Sequence, residues 1–582
     1  MENPGVARVL NEIADLLELK GENPFRVRAY RTGAQVVADS PVRVADLDVP
    51  ALLEITGIGK DLAARITDIA ATGTTPIRDE LLQHFPPTIL DVMRLQGIGP
   101  KTVAMLYQTL NVRSLDDLEA AAKAGAIRGL KGMGARKEAL ILTAIAERRK
   151  HAGRHLIGPA TETAEALVAW LRDAAPDATY DVVGSLRRGC ETTGDIDILA
   201  SGAPAALLEH FTRYRHVERI LAVGDSKASV LLASQMQADL RLVPPESRGA
   251  ALQYFTGSKA HNIALRQRAL SRGFTLNEYA LANAATGERA AGDTEEGLYA
   301  ALGLPWIDPA LREHRGEIDA AAMGVLPRLV TLADLQGDLH MHTTASDGRH
   351  EIETMAVAAR EAGRRYICIT DHSQSLAMAN GLDDARALAH AARIREANAR
   401  IDGITILAGI EVDILPDGRL DLAEDTLARL DFVVASVHSA FDQSTEAMTV
   451  RVLTAMACPY VDAIGHPTGR KLLRREPYRI DMDALIEAAG LYGIALEINS
   501  NYNRLDLSDV HARKAKQQGV GILIDSDAHS TTELEFLRWG IATARRAWLE
   551  PADVWNTLDV DAFRNGLRRH RSRPAARTGT PS

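Results

Sequence analysis

Three patterns of apolar and polar residues succeed one another along these 582 residues. From the start to about residue 155, apolar positions recur at helical spacing in helices that read as short, beginning with the amphipathic stretch Met1–Lys20. Between about 156 and 318, brief stretches alternate with period two. Tyr180–Val183 reads as a short buried strand, and Asp195-Ile-Asp-Ile-Leu199 and Ala238-Asp-Leu-Arg-Leu-Val243 read as strands with one polar face. Beyond about 335 a third pattern repeats. An apolar strand ends in a polar residue, and a helical stretch such as Glu351–Ala362 or Asp384–Arg400 follows. Strand–helix alternation of this kind predicts a β/α barrel whose chemistry gathers at the carboxyl ends of its strands.

The middle pattern carries a candidate site. Gly184-Ser185 break a strand where a helix can begin, and such a turn presents backbone N–H groups to a phosphate. Arg187 and Arg188 place cationic donors beside it. On a strand, Asp195 and Asp197 project from one face while Ile196 and Ile198 enter the core. Two neighbouring carboxylates repel unless cations sit between them, and oxygen-only ligands beside a phosphate nest suit Mg²⁺ held jointly with a nucleotide triphosphate. Asp239, on the second alternating strand, can join them. Three carboxylates and two metals fit in-line phosphoryl transfer. A charged turn at a solvated strand edge is the plainer reading of the same residues.

Gly-Ser-x-Arg-Arg-Gly, then Gly-Asp-Ile-Asp, then Asp-Leu-Arg, resembles the palm of the family X DNA polymerases, the group of DNA polymerase beta. The resemblance continues through Tyr254-Phe-Thr-Gly-Ser-Lys-Ala-His-Asn262 and Arg266 to Gly273-Phe-Thr-Leu-Asn-Glu-Tyr279, the family's nucleotide-binding thumb. It implies that Asp195 and Asp197 hold both metals and that Asp239 holds the catalytic one near a primer 3′-OH. Gly184, Ser185, Arg188 and the Gly194 amide would bind the triphosphate, with Tyr254, Phe255 and Gly257 around the nucleotide and Tyr254 guarding its sugar. Ser258 can cap a helix running to about Ser271, which puts Asn262 and Arg266 on one face, toward the minor-groove edges of the nascent base pair. Lys259 stands where DNA polymerase beta carries an aspartate, and shares that face.

The first pattern contains a repeated turn. Ile55-Thr-Gly57-Ile-Gly59-Lys60, Leu95-Gln-Gly97-Ile-Gly99-Pro-Lys101 and Leu130-Lys-Gly-Met-Gly-Ala-Arg136-Lys137 each open a helix, in the helix-hairpin-helix manner. The glycines bring N–H groups against a DNA phosphate and the cations add charge, which predicts sequence-independent backbone binding. The first hairpin resembles the small lyase domain of DNA polymerase beta, with Arg26–Arg31 as its basic helix. The family's Schiff-base lysine aligns with Arg65, and a guanidinium cannot lose the proton that this reaction requires. Lyase activity at that position is therefore not expected, whereas binding of a 5′-phosphate is.

In the third pattern the strand ends carry His340 and His342, Asp371-His372, Glu411, His438, His466, Asn499, and finally Asp525-Ser-Asp527-Ala-His529. This arrangement resembles the polymerase-and-histidinol-phosphatase (PHP) domain, a distorted seven-stranded barrel. The resemblance implies nine ligands: His340, His342, Asp347, His372, Glu411, His438, His466, Asp527 and His529. All nine are competent, so an active phosphoesterase is expected. Mixed imidazole and carboxylate ligands suit Zn²⁺, Mn²⁺ or Fe²⁺ better than Mg²⁺ alone.

Composition adds limits. Apolar residues at 46% and charged residues at 25% describe an ordinary globular chain, too long for one core. The three cysteines, Cys190, Cys368 and Cys458, form no zinc-knuckle spacing and imply a reducing, cytoplasmic compartment. No apolar run is long enough for a membrane span, and Met1–Lys20 is not a signal peptide. The net charge of −10 argues against general nucleic-acid affinity, but residues 1–155 are slightly basic and most of the acidic excess lies beyond 331, which localises the DNA footprint to the first half.

The expected organisation is a helical lyase-like domain with a helix-hairpin-helix (1–88), a fingers-like helical domain (89–155), an α+β nucleotidyltransferase palm (156–245), a thumb (246–318), a linker (319–334), a (β/α)7 PHP barrel (335–570) and a disordered tail (571–582). The expected function is that of a bacterial-type family X polymerase filling short gaps with dNTPs in DNA repair, trimming 3′ ends in its barrel. It would work as a monomer on gapped or nicked DNA, alongside other repair proteins. Two rival readings are a factor that bridges broken DNA ends, and a barrel that hydrolyses a small phosphate ester.

Overall fold

The computed structural model describes residues 3–568 except 39, 41–43, 56, 94, 96–97, 131, 151–152 and 377–378. The chain divides into two compact units, residues 1–152 and 153–582.

The first unit is helical. Its opening helices, Asn3–Lys20 and Pro24–Ala38, are 18 and 15 residues long, not short as the sequence suggests. Val6, Leu10, Ile13 and Leu17 recur at helical spacing and are buried, so one continuous apolar face runs the length of the first helix. Glu12 lies inside and is paired with Arg78 at 2.9 Å. In the first two hairpins Ile58 and Ile98 are buried anchors, while Gly59 and Gly99 are exposed and N-cap the helices Lys60–Thr72 and Pro100–Leu110 without a side-chain bond. A Cβ at either glycine would meet nothing within 4 Å, so the helix N-termini are open to an incoming phosphate. Gly57, at φ +98°, needs glycine's freedom for the turn. Lys60 and Lys101 are exposed. Gly97 lies outside the described residues. In the third hairpin Lys137 Nζ donates to the Gly132 carbonyl at 3.0 Å.

The second unit begins with a five-stranded sheet: β1 (Thr179–Val182), β2 (Asp195–Ser201), β3 (Val217–Val223), β4 (Lys227–Leu232) and β5 (Gln237–Val243), in spatial order β1-β2-β5-β4-β3. The strand expected to be buried at Tyr180–Val183 is the sheet's edge and only half-buried; Val183 just beyond it is buried. Ile196 and Ile198 enter a core with Leu167 and Leu171 of the helix Ile157–Ala174. On the opposite face Leu199 packs with Val183, Ala251 and Leu252, so the helix Arg248–Thr256 covers that end and leaves Asp195 and Asp197 beyond its cover.

The next part contains the helix Lys259–Ser271, capped by Ser258 as expected, and a small antiparallel sheet of β6 (Phe274–Leu276), β7 (Leu281–Asn283) and β8 (Arg289–Ala291). Buried His261 stands between Glu317 at 2.6 Å and the Tyr299 hydroxyl at 2.9 Å. The segment 319–334, expected as a linker, is packed at some points and exposed at others, including 322–325 and 331–333. Ala320 and Ala321 of the helix Glu317–Met323 are buried, and Val330 joins the core of the following barrel.

That barrel has seven parallel strands, each paired with its successor: β9 (Gly337–Asp338), β10 (Tyr366–Ile369), β11 (Thr405–Asp413), β12 (Phe432–Ser436), β13 (Ala463–Ile464), β14 (Ala495–Asn499) and β15 (Ile522–Asp525). A bridge between Met341 and Ala528 brings its two ends together, with the Asp527 amide donating to the His340 carbonyl at 2.9 Å. Tyr366, Cys368, Leu407, Phe432, Val434 and Leu523 share one buried cluster, while Ile367 and Ile369 pack in another with the helices. This is the period of two in a fully covered parallel sheet. Leu505 and Trp539 of this region share a core with the five-stranded sheet, and Arg470 pairs with Glu191 across the same junction.

Arg65 is held in the first unit by Asp61 at 3.2 Å and Asp68 at 3.6 Å, and Asp61 in turn accepts from the Tyr30 hydroxyl. A guanidinium so engaged offers no amine. Borohydride trapping on a 5′-incised abasic substrate is expected to give no adduct above background, whereas an adduct lost on Lys60→Ala would identify a substitute nucleophile.

Candidate functional site

Two acidic centres lie in the second unit. The first stands on the five-stranded sheet, where the parallel register of β2 and β5 sets Asp197 directly beside Asp239. Asp195, two residues earlier on β2, shares the face of Asp197. Burial and the carboxylates of Asp195 and Asp239 push Asp197 up to about 6. Burial and Asp239 also raise Asp195. The three groups thus hold one another in an unfavourable charge state, and a bound cation relieves it. Asp239 is partly relieved already. Lys227 Nζ from β4 lies 2.5 Å from one of its oxygens, and Gln237 Nε2 donates to the other at 3.1 Å.

Around them, the chain turns sharply. Gly184 has φ +70°, and a Cβ there would stand 3.0 Å from the Asp197 carboxylate, so the close approach requires glycine. Ser185 Oγ bonds Thr193 Oγ1 at 2.7 Å, and Gly194 is exposed just before Asp195. Arg188 donates from Nε to Glu313 at 2.9 Å and from Nη1 to the Thr256 carbonyl at 2.6 Å. Arg187 instead forms a two-bond pair with Glu295, at 2.9 and 2.7 Å, and is structural.

Asn262 donates to the Tyr254 carbonyl at 2.7 Å and accepts from Gln253 at 2.7 Å, while the Arg266 guanidinium lies 5.4 Å over the Tyr254 ring. Tyr254, Asn262 and Arg266 therefore form one cluster. Phe255 faces the sheet's small core and carries Arg241 over its ring at 4.4 Å. Gly257 is buried beside Arg188, and Lys259 is exposed at the start of its helix.

The second centre is at the carboxyl end of the barrel, in a cavity of about 250 Å³. Glu411 occupies the middle. Its Oε2 is 2.7 Å from His372, 3.4 Å from His340 and 3.8 Å from His342, and its Oε1 is 3.0 Å from His466 and 3.3 Å from His438. Asp527 lies 3.1 Å from His342, and Asp347 lies 3.6 Å from His372 and 3.4 Å from His529. All nine residues singled out in the sequence are thus brought together. Burial alone would raise Glu411, but the imidazoles of His438, His372 and His340 hold it well below the usual carboxylate range. Asp527 sits in the left-handed region at φ +54°, a strained conformation that aims its carboxylate inward.

The donor set fits a metal. Three groups of ligand atoms each lie within 4.8 Å of one another: His342, Asp347, His372 and His529; His340, His342 and Asp527; and His372, Glu411 and His438. Both oxygens of Glu411 and one ring nitrogen each of His340, His342 and His372 are buried without a hydrogen bond, which is costly unless a cation takes them. The palm carboxylates form no such tight group among the described residues, and Asp239 pairs with Lys227.

Glu497 and Asp413 were not foreseen from the sequence, whereas Asn499 and Asp371 are strand-end residues noted there without a ligand's role. Glu497 holds His340 at 2.7 Å, Asp413 holds His438 at 2.6 Å, and Asn499 holds Asp527 at 2.8 Å, each fixing a ligand's orientation. Asp371 accepts from Thr343, Ser346 and His390, pinning the loop that follows His342. Lys471, Arg475 and Arg504 line the cavity and set three cations opposite the carboxylates of Asp347, Glu411 and Asp527. The raised Asp197 has a consequence for stability. Its folded-state value exceeds the unfolded one, so stability falls as pH climbs from about 4 through about 6 in metal-free protein. Asp197→Asn is expected to raise stability at pH 8 in EDTA by about 1–2 kcal/mol, with the gain vanishing near pH 4, as followed by denaturant unfolding.

Known families match the chain in four places: a helix-hairpin-helix domain at residues 1–75, a SAM-like helix-hairpin-helix tandem at 89–147, the DNA polymerase beta thumb at 251–313 and the PHP domain at 338–501. A probable phosphatase of Thermoanaerobacter sp. (strain X514) is 34% identical over 244 residues, 40% of this chain and 94% of that protein. A probable phosphatase of Caldicellulosiruptor bescii is 32% identical over 209 residues, 34% of this chain and 82% of its own. The DNA polymerase/3′-5′ exonuclease PolX of Bacillus subtilis (strain 168) is 38% identical over 569 residues, covering 97% of this chain and 99% of that protein. With that relative matched end to end, the chain belongs to the PolX family, the family X DNA polymerases that carry a PHP domain.

Proposed function

We propose that this protein is a DNA-directed DNA polymerase that fills short gaps in DNA repair, with a separate 3′–5′ exonuclease in its barrel. The observation that carries this is the presence of two distinct acidic centres in one chain that aligns end to end with a DNA polymerase/3′-5′ exonuclease. The exposed glycines and lysines of the two hairpins support binding to the DNA backbone without regard to sequence.

In the palm, Asp195, Asp197 and Asp239 would hold Mg²⁺, which when bound supplies charge neutralisation and Lewis acidity for in-line nucleotidyl transfer. Ser185, the Gly194 amide and the spare N–H groups of Arg188 would receive the triphosphate. Tyr254 would border the sugar, and Asn262 and Arg266 the base pair. In the barrel, the nine ligands would hold Mn²⁺, Zn²⁺ or Fe²⁺. Lys471, Arg475 and Arg504, beside the carboxylates of Asp347, Glu411 and Asp527, would bind the phosphodiester. A cytoplasmic setting agrees with three free cysteines, and no described helix is long and apolar enough to cross a membrane.

Separate centres make separable activities. On a gapped duplex with dNTPs, Asp195→Ala combined with Asp197→Ala is expected to abolish nucleotide addition while Mn²⁺-dependent trimming persists; Glu411→Ala is expected to do the reverse. Loss of both activities in either folded variant would refute the two-centre reading. Lys259, exposed at the mouth of the nucleotide helix, supports a contact to the incoming triphosphate. Lys259→Ala is expected to raise the dNTP KM about fivefold, the scale of about 1 kcal/mol, with kcat little changed. A KM equal to wild type would leave Lys259 a solvent-facing side chain.

A further inference from the structure

Arg546 ends the helix Leu537–Arg546, which packs against β14 and β15 of the barrel, yet its guanidinium reaches the turn that precedes the palm carboxylates. Nη1 donates to Glu313 at 2.8 Å, to the Arg188 carbonyl at 3.2 Å and to Cys190 Sγ at 3.3 Å. Nη2 lies 3.0 Å from Asp509, which also takes Arg315 at 2.9 Å. The same oxygen of Glu313 that Arg546 contacts also accepts from Arg188 Nε. The side chains of Arg188, Glu313, Asp509 and Arg546 are only 10–18% exposed, so these bonds act where water competes poorly. Packing is equally close: a Cβ at Gly189 would come within 3.1 Å of the Ala542 Cβ.

We propose that Arg546 is a positioning residue for nucleotidyl transfer, which holds Glu313 and the Arg188 turn so that the Arg188 guanidinium faces the triphosphate. The inference rests on the reading of Arg188 as a triphosphate ligand. Arg188 has five N–H donors, and Glu313, the Thr256 carbonyl and Cys190 take three of them. What remains for an anion depends on where Glu313 stands. Without Arg546, Glu313 has only Arg188 as a cationic partner and the Arg188 carbonyl loses its donor, so the fork is drawn away from the nucleotide. The barrel region thereby tunes the polymerase's nucleotide affinity through a contact remote from its own ligands.

The test is single-nucleotide gap filling by the full chain across a dNTP titration, with trimming of single-stranded DNA measured alongside as a check on the barrel. Arg546→Ala is expected to raise the dNTP KM about 5–10-fold, to change kcat by less than about twofold and to leave trimming intact. Arg546→Lys should recover part of the loss, and Glu313→Gln should imitate Arg546→Ala. Arg545→Ala, which cuts the neighbouring Arg545–Asp308 pair on the same helix, should leave KM near wild type. Adding Arg546→Ala to Arg188→Ala should add little, because both act through one guanidinium. A wild-type KM in Arg546→Ala with a raised KM in Arg188→Ala would overturn the positioning role alone. A wild-type KM in Arg188→Ala would overturn the triphosphate reading beneath it. An equal KM increase in Arg545→Ala would reduce the effect to general docking of the helix and also overturn the inference.

Discussion

Residues at matching positions of hydrogen-bonded parallel strands must lie side by side whatever their charge, and both centres of this molecule depend on that constraint. In the palm it sets Asp197 against Asp239 and keeps Asp195 on the same face. In the barrel it delivers one or more ligands at the carboxyl end of nearly every strand to a common point around Glu411. Neither arrangement favours folding by itself. Crowded carboxylates and buried imidazoles cost stability, and the surrounding apolar cores must outweigh them. The positions that oppose stability are the ones with chemistry to perform.

The two centres answer their charge in different ways. The barrel neutralises its carboxylates internally, with imidazoles against both oxygens of Glu411 and with Glu497 and Asp413 behind the rings. Its ligand atoms are already gathered, as a resident metal site requires. The palm leaves Asp195 and Asp197 facing each other's charge, which Lys227, Arg154 and Arg241 offset only in part, while Lys227 pairs directly with Asp239. A looser, anionic set suits a site whose cations arrive with a nucleotide and depart with pyrophosphate.

Much of this was legible in the sequence because it is local. Asp195 and Asp197 are read from a period of two, Ser258 from its position before a helix, and the barrel ligands from a polar residue that follows each apolar strand. What escaped is what another strand or another domain supplies. Lys227 gives no signal of its own; only the antiparallel pairing of β4 with β5 brings it to Asp239. Arg504, Lys471 and Arg475 lie on segments after β13 and β14 and look like ordinary surface cations until the barrel closes. The segment 319–334 reads as a linker from its small residues, and of these Ala320 and Ala321 are buried while Ala322 and Gly324 are exposed.

The junction between palm, thumb and barrel is built from carboxylates that are each shared by two guanidiniums: Glu295 by Arg187 and Arg312, Glu313 by Arg188 and Arg546, and Asp509 by Arg315 and Arg546. Apolar packing such as that of Trp539 and Leu505 would hold the parts together with little regard for their relative angle. Shared ion pairs are directional, and breaking any one leaves a desolvated charge behind, so the arrangement that satisfies all of them is narrow. Such a web contributes little net stability for its size but fixes orientation. Arg188 and the Tyr254–Asn262–Arg266 cluster lie on different elements, and it is this web that fixes one against the other.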